Sequence, residues 1–82
     1  MPSGVTVWAV ELTDTFGGEA NYSWARRDQL ELPASASDRR IVTAAKAALG
    51  LTGVRCRRFD YGEGFELRPI GSLTVAFILP VY

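Results

Sequence analysis

Three kinds of side chain in this 82-residue chain could do chemistry: carboxylates, arginines set among aromatics, and one thiol. Asp60 and Glu63 stand close enough in sequence to share a proton or a hard cation. Nine acids in so short a chain will produce such a spacing without any site, so the pair is a weak pointer. There is no histidine, which removes the commonest general base at neutral pH and the commonest zinc ligand. Cys56 has no imidazole to activate it, and its alternation with Arg55 and Arg57 reads as a small core residue. Lys46, the only lysine, falls on the solvated side of a helix by periodicity. The double glycine in FGGEAN fits neither G-x-x-x-x-G-K-[ST] nor G-x-G-x-x-G, and a strand-like run follows it where a phosphate loop would open a helix. It reads as a turn. The chain is expected not to be an enzyme, and no cofactor or metal is expected.

The arginines offer a different chemistry. Tyr22 and Trp24 precede Arg26 and Arg27, and Arg55, Arg57 and Arg58 precede Phe59. Cations beside aromatics on strands are the ingredients of a base-stacking platform with a backbone-tracking groove. No RNP-type motif accompanies them, and the isoelectric point is near 6.2. The acids are segregated from these bases: residues 1–25 carry a net −3, residues 26–58 a net +5 and residues 59–82 a net −2. If the fold keeps those thirds apart, the surface shows an acidic and a basic patch; if strands interleave them, they cancel. Asp14 and Glu19 around the glycine turn, with Asp60, Glu63 and Glu66 around a second turn, could present carboxylates where a basic groove expects phosphates.

These residues must be held by a single small domain, residues 1–82, that buries about 60–65% of its unfolded surface. Hydrophobic residues at 48% and charged residues at 22% place the chain among ordinary globular proteins and away from disorder. One cysteine excludes an internal disulfide framework and fits a reducing compartment. MPSGVTVW has no basic leader region, and no apolar run approaches membrane-spanning length, so a cytoplasmic protein without a membrane anchor is expected.

VTVWAVEL (5–12) is rich in β-branched and aromatic residues and apolar on both faces, so it reads as a strand inside a sheet. A second strand spans Tyr22 to about Leu32. Its even positions are apolar at both ends and charged in the middle, which predicts a bulge near Arg26 to Asp28, and Pro33 stops it. SASDRRIVTAAKAALG supplies the only helix, capped by Ser35 or Ser37 and ended by Gly50. Arg39 and Arg40 fall in its first turn, where the macrodipole disfavours cations. After it, Val54 and Cys56 point inward and Arg55 and Arg57 outward, with the alternation breaking at Arg58 and Phe59. DYGEGF is turn chemistry. Phe65–Ile70 and Leu73–Leu79 form a hairpin through Gly71-Ser72; with Ile70 facing Leu73, one face carries Phe65, Leu67, Ala76 and Ile78, and the other Val75, Phe77 and Leu79. The predicted architecture is α+β, a largely antiparallel sheet of about five strands with one helix on one face, in the order β-β-α-β-β-β. One helix covers one face, so the other is expected to expose Val75, Phe77 and Leu79 and to mark a contact surface, including a possible homodimer.

DTFGGEANYSWARR followed by ASASDRRIVTAAKAALGLTGVRCRRFDYGEGFELRP, from Asp14 to about Pro69, resembles a group of very small proteins encoded by bacterial phages, plasmids and other mobile elements. In size and provenance the chain is similar to the anti-CRISPR class. That resemblance carries no catalytic residue across. It implies a stoichiometric inhibitor that binds a CRISPR effector, foremost a multisubunit type I complex, in the bacterial host cytoplasm, and blocks target-DNA binding. The alternative is a small nucleic-acid-binding accessory protein that uses the arginine and aromatic strand surface.

Overall fold

The structure, a computed structural model, describes residues 4–81. Its elements are β1 (Val5–Phe16), β2 (Glu19–Pro33), α1 (Asp38–Ala48), β3 (Cys56–Tyr61), β4 (Gly64–Pro69) and β5 (Thr74–Val81). The five strands form one sheet in the order β2-β1-β5-β4-β3, every neighbour antiparallel. This is the α+β architecture and element order that the patterning predicts. β1, apolar on both faces, lies between β2 and β5.

The β1–β2 turn needs two residues at positive φ, and the double glycine supplies them, Gly17 at 62° and Gly18 at 85°. Two such residues between Phe16 and Glu19, which face each other, make the primed turn that matches strand twist. In the β4–β5 hairpin Phe65 faces Ile78 and Leu67 faces Ala76, the register obtained by setting Ile70 opposite Leu73.

β2 and β3 are the two edges, so the segment between them has to cross the sheet. Four strand spacings of about 4.8 Å separate them, and an 11-residue helix is about 16 Å long, so α1 suits the span. Ser37 caps it, its Oγ accepting from the Arg40 N–H, and Gly50 past its end has φ 74°. Ile41, Ala45 and Leu49 are buried against Trp8, Val10 and Leu12 of β1, Phe65 and Leu67 of β4, and Ala76 and Ile78 of β5. Fully burying each large aliphatic side chain in that set stabilises the fold by about 1.5–3 kcal/mol. The Arg26 guanidinium donates to the Leu49 carbonyl at 3.2 Å, a cation on the negative end of the helix.

Two expectations for the strands need correction. The irregularity in β2 is not at Arg26 to Asp28, which pair regularly with Leu12, Glu11 and Val10. It lies at Asn21–Trp24, where the register jumps from Thr15↔Ala20 to Thr13↔Ala25 and Tyr22 adopts φ 56°. Tyr22 and Trp24 are consequently half exposed and not core residues. The alternation in β3 does not break at Arg58 either. Arg58 pairs with Leu67 on the helix side, its guanidinium 5.1 Å from the Phe65 ring centroid, while Phe59 pairs with Glu66 on the other side. Cation–π attraction and two carboxylates make an inward arginine tolerable there.

Candidate functional site

The face of the sheet away from α1 can be written row by row from the strand registers. Arg57, Arg68, Val75, Thr13 and Ala25 form an upper row; Phe59, Glu66, Phe77, Glu11 and Arg27 a middle row; Tyr61, Gly64, Leu79, Ala9 and Gln29 a lower one; and Val81, Val7 and Glu31 lie below that. The three levels differ in what covers them.

The upper row is closed. Val75 and Thr13 are both 0% exposed although they face away from the helix. Thr13 Oγ1 donates to the Trp24 carbonyl at 2.7 Å, and Arg68 reaches over to the Gly18 carbonyl at 2.7 Å, tying the β1–β2 turn back towards β4. Asp14 organises the Asn21–Trp24 bulge. Its carboxylate accepts from Asn21 Nδ2 at 2.9 Å, from the Ser23 N–H at 2.9 Å and from Ser23 Oγ at 2.7 Å. The Ser23 hydroxyl first, then the Asn21 amide, hold this carboxyl well below the usual carboxylate range.

The middle row is polar and satisfied. Glu66 is 6% exposed, with the Tyr61 hydroxyl donating to one oxygen at 2.8 Å and Arg68 Nε to the other. That bond to the carboxylate, reinforced by burial, raises the Tyr61 phenol. Glu11 is held in the same way by the Tyr22 hydroxyl at 3.1 Å and Arg27 Nε at 2.9 Å. Burial, and next the Glu11 bond, raise the Tyr22 phenol. No buried side-chain nitrogen or oxygen is left without a partner among the described residues.

The lower rows are bare. Leu79 is 51% and Tyr61 57% exposed, with Val5 and Val81 above 40%, and Phe59, at the β3 end of the middle row, is open beside them. A shallow groove of about 500 Å³ runs over the small Ala9, walled by Phe77 and Leu79 on one side and Arg27 and Gln29 on the other. Leu79 can lean across the sheet only because residue 64 is glycine: a Cβ there would stand 2.4 Å from Leu79 Cδ2 and 2.8 Å from the Ile78 carbonyl. The expected apolar face is therefore half correct. Val75 is sealed, Phe77 half-buried, and the open surface extends to Val5, Val81 and Tyr61, which sequence reasoning did not single out. The signal was present in β1, whose odd positions Val5, Val7 and Ala9 are as apolar as Trp8 and Val10.

The acidic candidates do not form one surface. Asp14 and Glu66 are strand residues bound to their own neighbours, not loop carboxylates, and so is Asp60, which receives Arg58 Nε at 2.8 Å and is lowered by that bond. Glu19 and Glu63 are exposed and make no ion pair among the described residues, but the turns they flank lie at opposite ends of the sheet. The basic candidates divide too. Trp24, Arg26 and Arg27 belong to the β2 edge, and Arg55, Arg57 and Arg58 to the β3 edge or the loop before it, with three strands between. Arg26 serves the helix end, Arg27 pairs with Glu11, and Arg58 pairs with Asp60 and Asp38. Of these arginines, Arg55 and Arg57 alone have neither an ion pair nor a side-chain hydrogen bond among the described residues. Cys56 packs half-buried against the core, as its alternation predicts.

No described helix is long and apolar enough to cross a membrane, and no described cluster of three or more acidic, cysteine or histidine side chains is placed to hold a metal. No protein-family model, curated protein or solved structure matches this chain.

Proposed function

We propose that this protein acts by stoichiometric binding, and that the bare lower half of its open sheet face is the contact surface. The observation that carries the reading is the contrast within one face. Every buried side-chain nitrogen and oxygen among the described residues is satisfied internally, while Val5, Phe59, Tyr61, Leu79 and Val81 are left to solvent together. Aromatic and aliphatic anchors rimmed by Arg27, Gln29 and Glu31 are the composition of a protein contact with a polar rim. The resemblance to mobile-element proteins supplies the target: a CRISPR effector complex, foremost a multisubunit type I assembly in the bacterial host, whose DNA binding is blocked. Occlusion by the apolar face replaces phosphate mimicry as the means, because of the five acidic candidates only Glu19 and Glu63 are free of an ion pair or side-chain bond among the described residues, and they lie at opposite ends.

The test is inhibition of target-DNA binding by purified type I and type II effectors. Leu79→Glu should abolish inhibition while leaving the far-UV circular dichroism unchanged, and Glu19→Lys with Glu63→Lys should inhibit like the parent. Equal inhibition by Leu79→Glu would remove the apolar surface, and no inhibition of either effector by the parent protein would remove the target.

A second reading keeps one specific observation. Arg57, Phe59 and Tyr61 alternate onto the same face of the β3 edge, all exposed, which is a short stacking row. Oligonucleotide affinity that falls steeply with salt and is lost in Arg55→Glu, Arg57→Glu would favour the accessory-protein reading.

A further inference from the structure

We infer that β2 is a self-complementary edge, and that two copies of this chain pair through it, antiparallel about Gln29, into one continuous ten-stranded sheet. The regular part of β2 runs from Ala25 to Pro33, bounded by the Asn21–Trp24 bulge and by a proline. Its midpoint is Gln29. A two-fold axis there pairs the whole segment with its copy and sets Arg27 opposite Glu31 of the second copy, twice. Glu31 is exposed and has no ion pair among the described residues. Arg27 has a 67% exposed side chain and spends only Nε on Glu11, so its terminal nitrogens are free for a second carboxylate.

The neighbouring registers are worse. In a continuous sheet the paired residues share a face, so the register moves in steps that bring a different residue onto the axis. Centring on Asp28 or on Arg27 sets that charge against itself, and centring on Leu30 shortens the ladder and leaves Arg27 opposite Pro33. Edge strands are ordinarily blunted by charge. Here the charges on the open face change sign across Gln29, so they attract a second copy in one register. In the isolated chain the Gln29 N–H is turned from β1 and capped by Asp28 Oδ1 at 2.8 Å; pairing exchanges that bond for the partner strand's carbonyl. The other edge, β3, is six residues long and has already engaged Arg58 with Asp60. The pairing leaves the bare lower half of each open face uncovered and does not depend on the proposed target.

Sedimentation across a concentration series tests it on the full chain. The parent should show a monomer–dimer equilibrium. Glu31→Arg alone and Arg27→Glu alone should each weaken it about tenfold or more, since two symmetric pairs turn repulsive, and mixing the two variants should restore a dimer. In a Cys56→Ser background, Gln29→Cys should form a disulfide-linked dimer on mild oxidation, because residue 29 faces its own copy as a hydrogen-bonded pair, at about 5.5 Å between Cα atoms. A strict monomer at every concentration overturns the inference. So does a dimer that ignores Glu31→Arg and fails to cross-link through residue 29, an outcome that would place the contact elsewhere.

Discussion

Replacing Arg68 by methionine removes one cation and leaves a side chain of similar length. Arg68 does two things. It neutralises Glu66, which is 6% exposed, and it donates to the Gly18 carbonyl fifty residues away, holding the β1–β2 turn. Breaking a fully buried ion pair by removing one partner costs about 3–5 kcal/mol. Arg68 is about a third exposed and the Tyr61 hydroxyl still serves Glu66, so water and that bond recover part of the loss. An unsatisfied buried group together with a lost charged bond to a carbonyl then comes to about 2–3 kcal/mol. In a domain of this size each kcal/mol moves Tm by about 4–8 °C, so the midpoint should fall by about 10–20 °C. Thermal and urea melts followed by circular dichroism measure it, and the amide of Thr15 should exchange faster as the turn loosens. Glu66→Gln in the Arg68→Met background should be less than additive, because a neutral amide no longer needs the guanidinium. A Tm shift under 3 °C for Arg68→Met, or strict additivity of the pair, would refute the clamp.

Asp14→Ala should lower Tm and raise proteolytic nicking at Asn21–Trp24, read by mass spectrometry of the fragments. Because the folded protein depresses the Asp14 carboxyl, its contribution is complete above the ordinary value near 3.8 and is lost as pH falls towards the depressed one. The Asp14→Ala variant should therefore show a shallower loss of stability than the parent in that acid window, measured by urea midpoints at pH 5 and below. Gly64→Ala should cost about 1–3 kcal/mol by overpacking against Leu79 and the Ile78 carbonyl, and Leu79→Ala in the same chain should return part of it. Arg26→Met should cost about 0.5–1.5 kcal/mol through the helix C-terminus, with the β-sheet signal retained.

The element order was legible because each signal had a local cause. Gly17-Gly18 could only be a turn between two β-branched runs, Ser37 and Gly50 bracket one helical period, and a β4–β5 register centred between Gly71 and Ser72 assigns Phe65 and Val75 to opposite faces. The bulge was not legible, since period-2 reading sees that β2 changes phase but not which residues are extra. Asp14, twelve positions before the start of the predicted irregularity, decides that by collecting Asn21 and Ser23. Arg58 and Glu66 failed for a related reason. Arg58 was read as breaking the alternation and Glu66 as a turn carboxylate, whereas Phe65 in the first case and Tyr61 in the second, brought near by the β3–β4 pairing, join the same-strand partners Asp60 and Arg68.

The two halves of the open face follow from that same pairing. Long polar side chains on β4 and β1 lie beside aromatics of β3 and β2, so each carboxylate finds a phenol and a guanidinium without leaving the sheet: Glu66 with Tyr61 and Arg68, Glu11 with Tyr22 and Arg27. The carboxylates of these two clusters stand in one row on either side of Phe77, and their partners fix the charges that would otherwise wander over Leu79 and Val81. A rigid, internally neutral polar bar above a bare apolar strip lowers the entropy lost when a partner is seated on the strip, because the bar's long side chains are already ordered. Loosening the bar without touching the strip, as Tyr22→Phe does by taking one bond from Glu11, should therefore weaken partner binding modestly, and through faster dissociation, while Leu79→Glu abolishes it. Equal effects of the two substitutions would mean that the polar row is itself the contact.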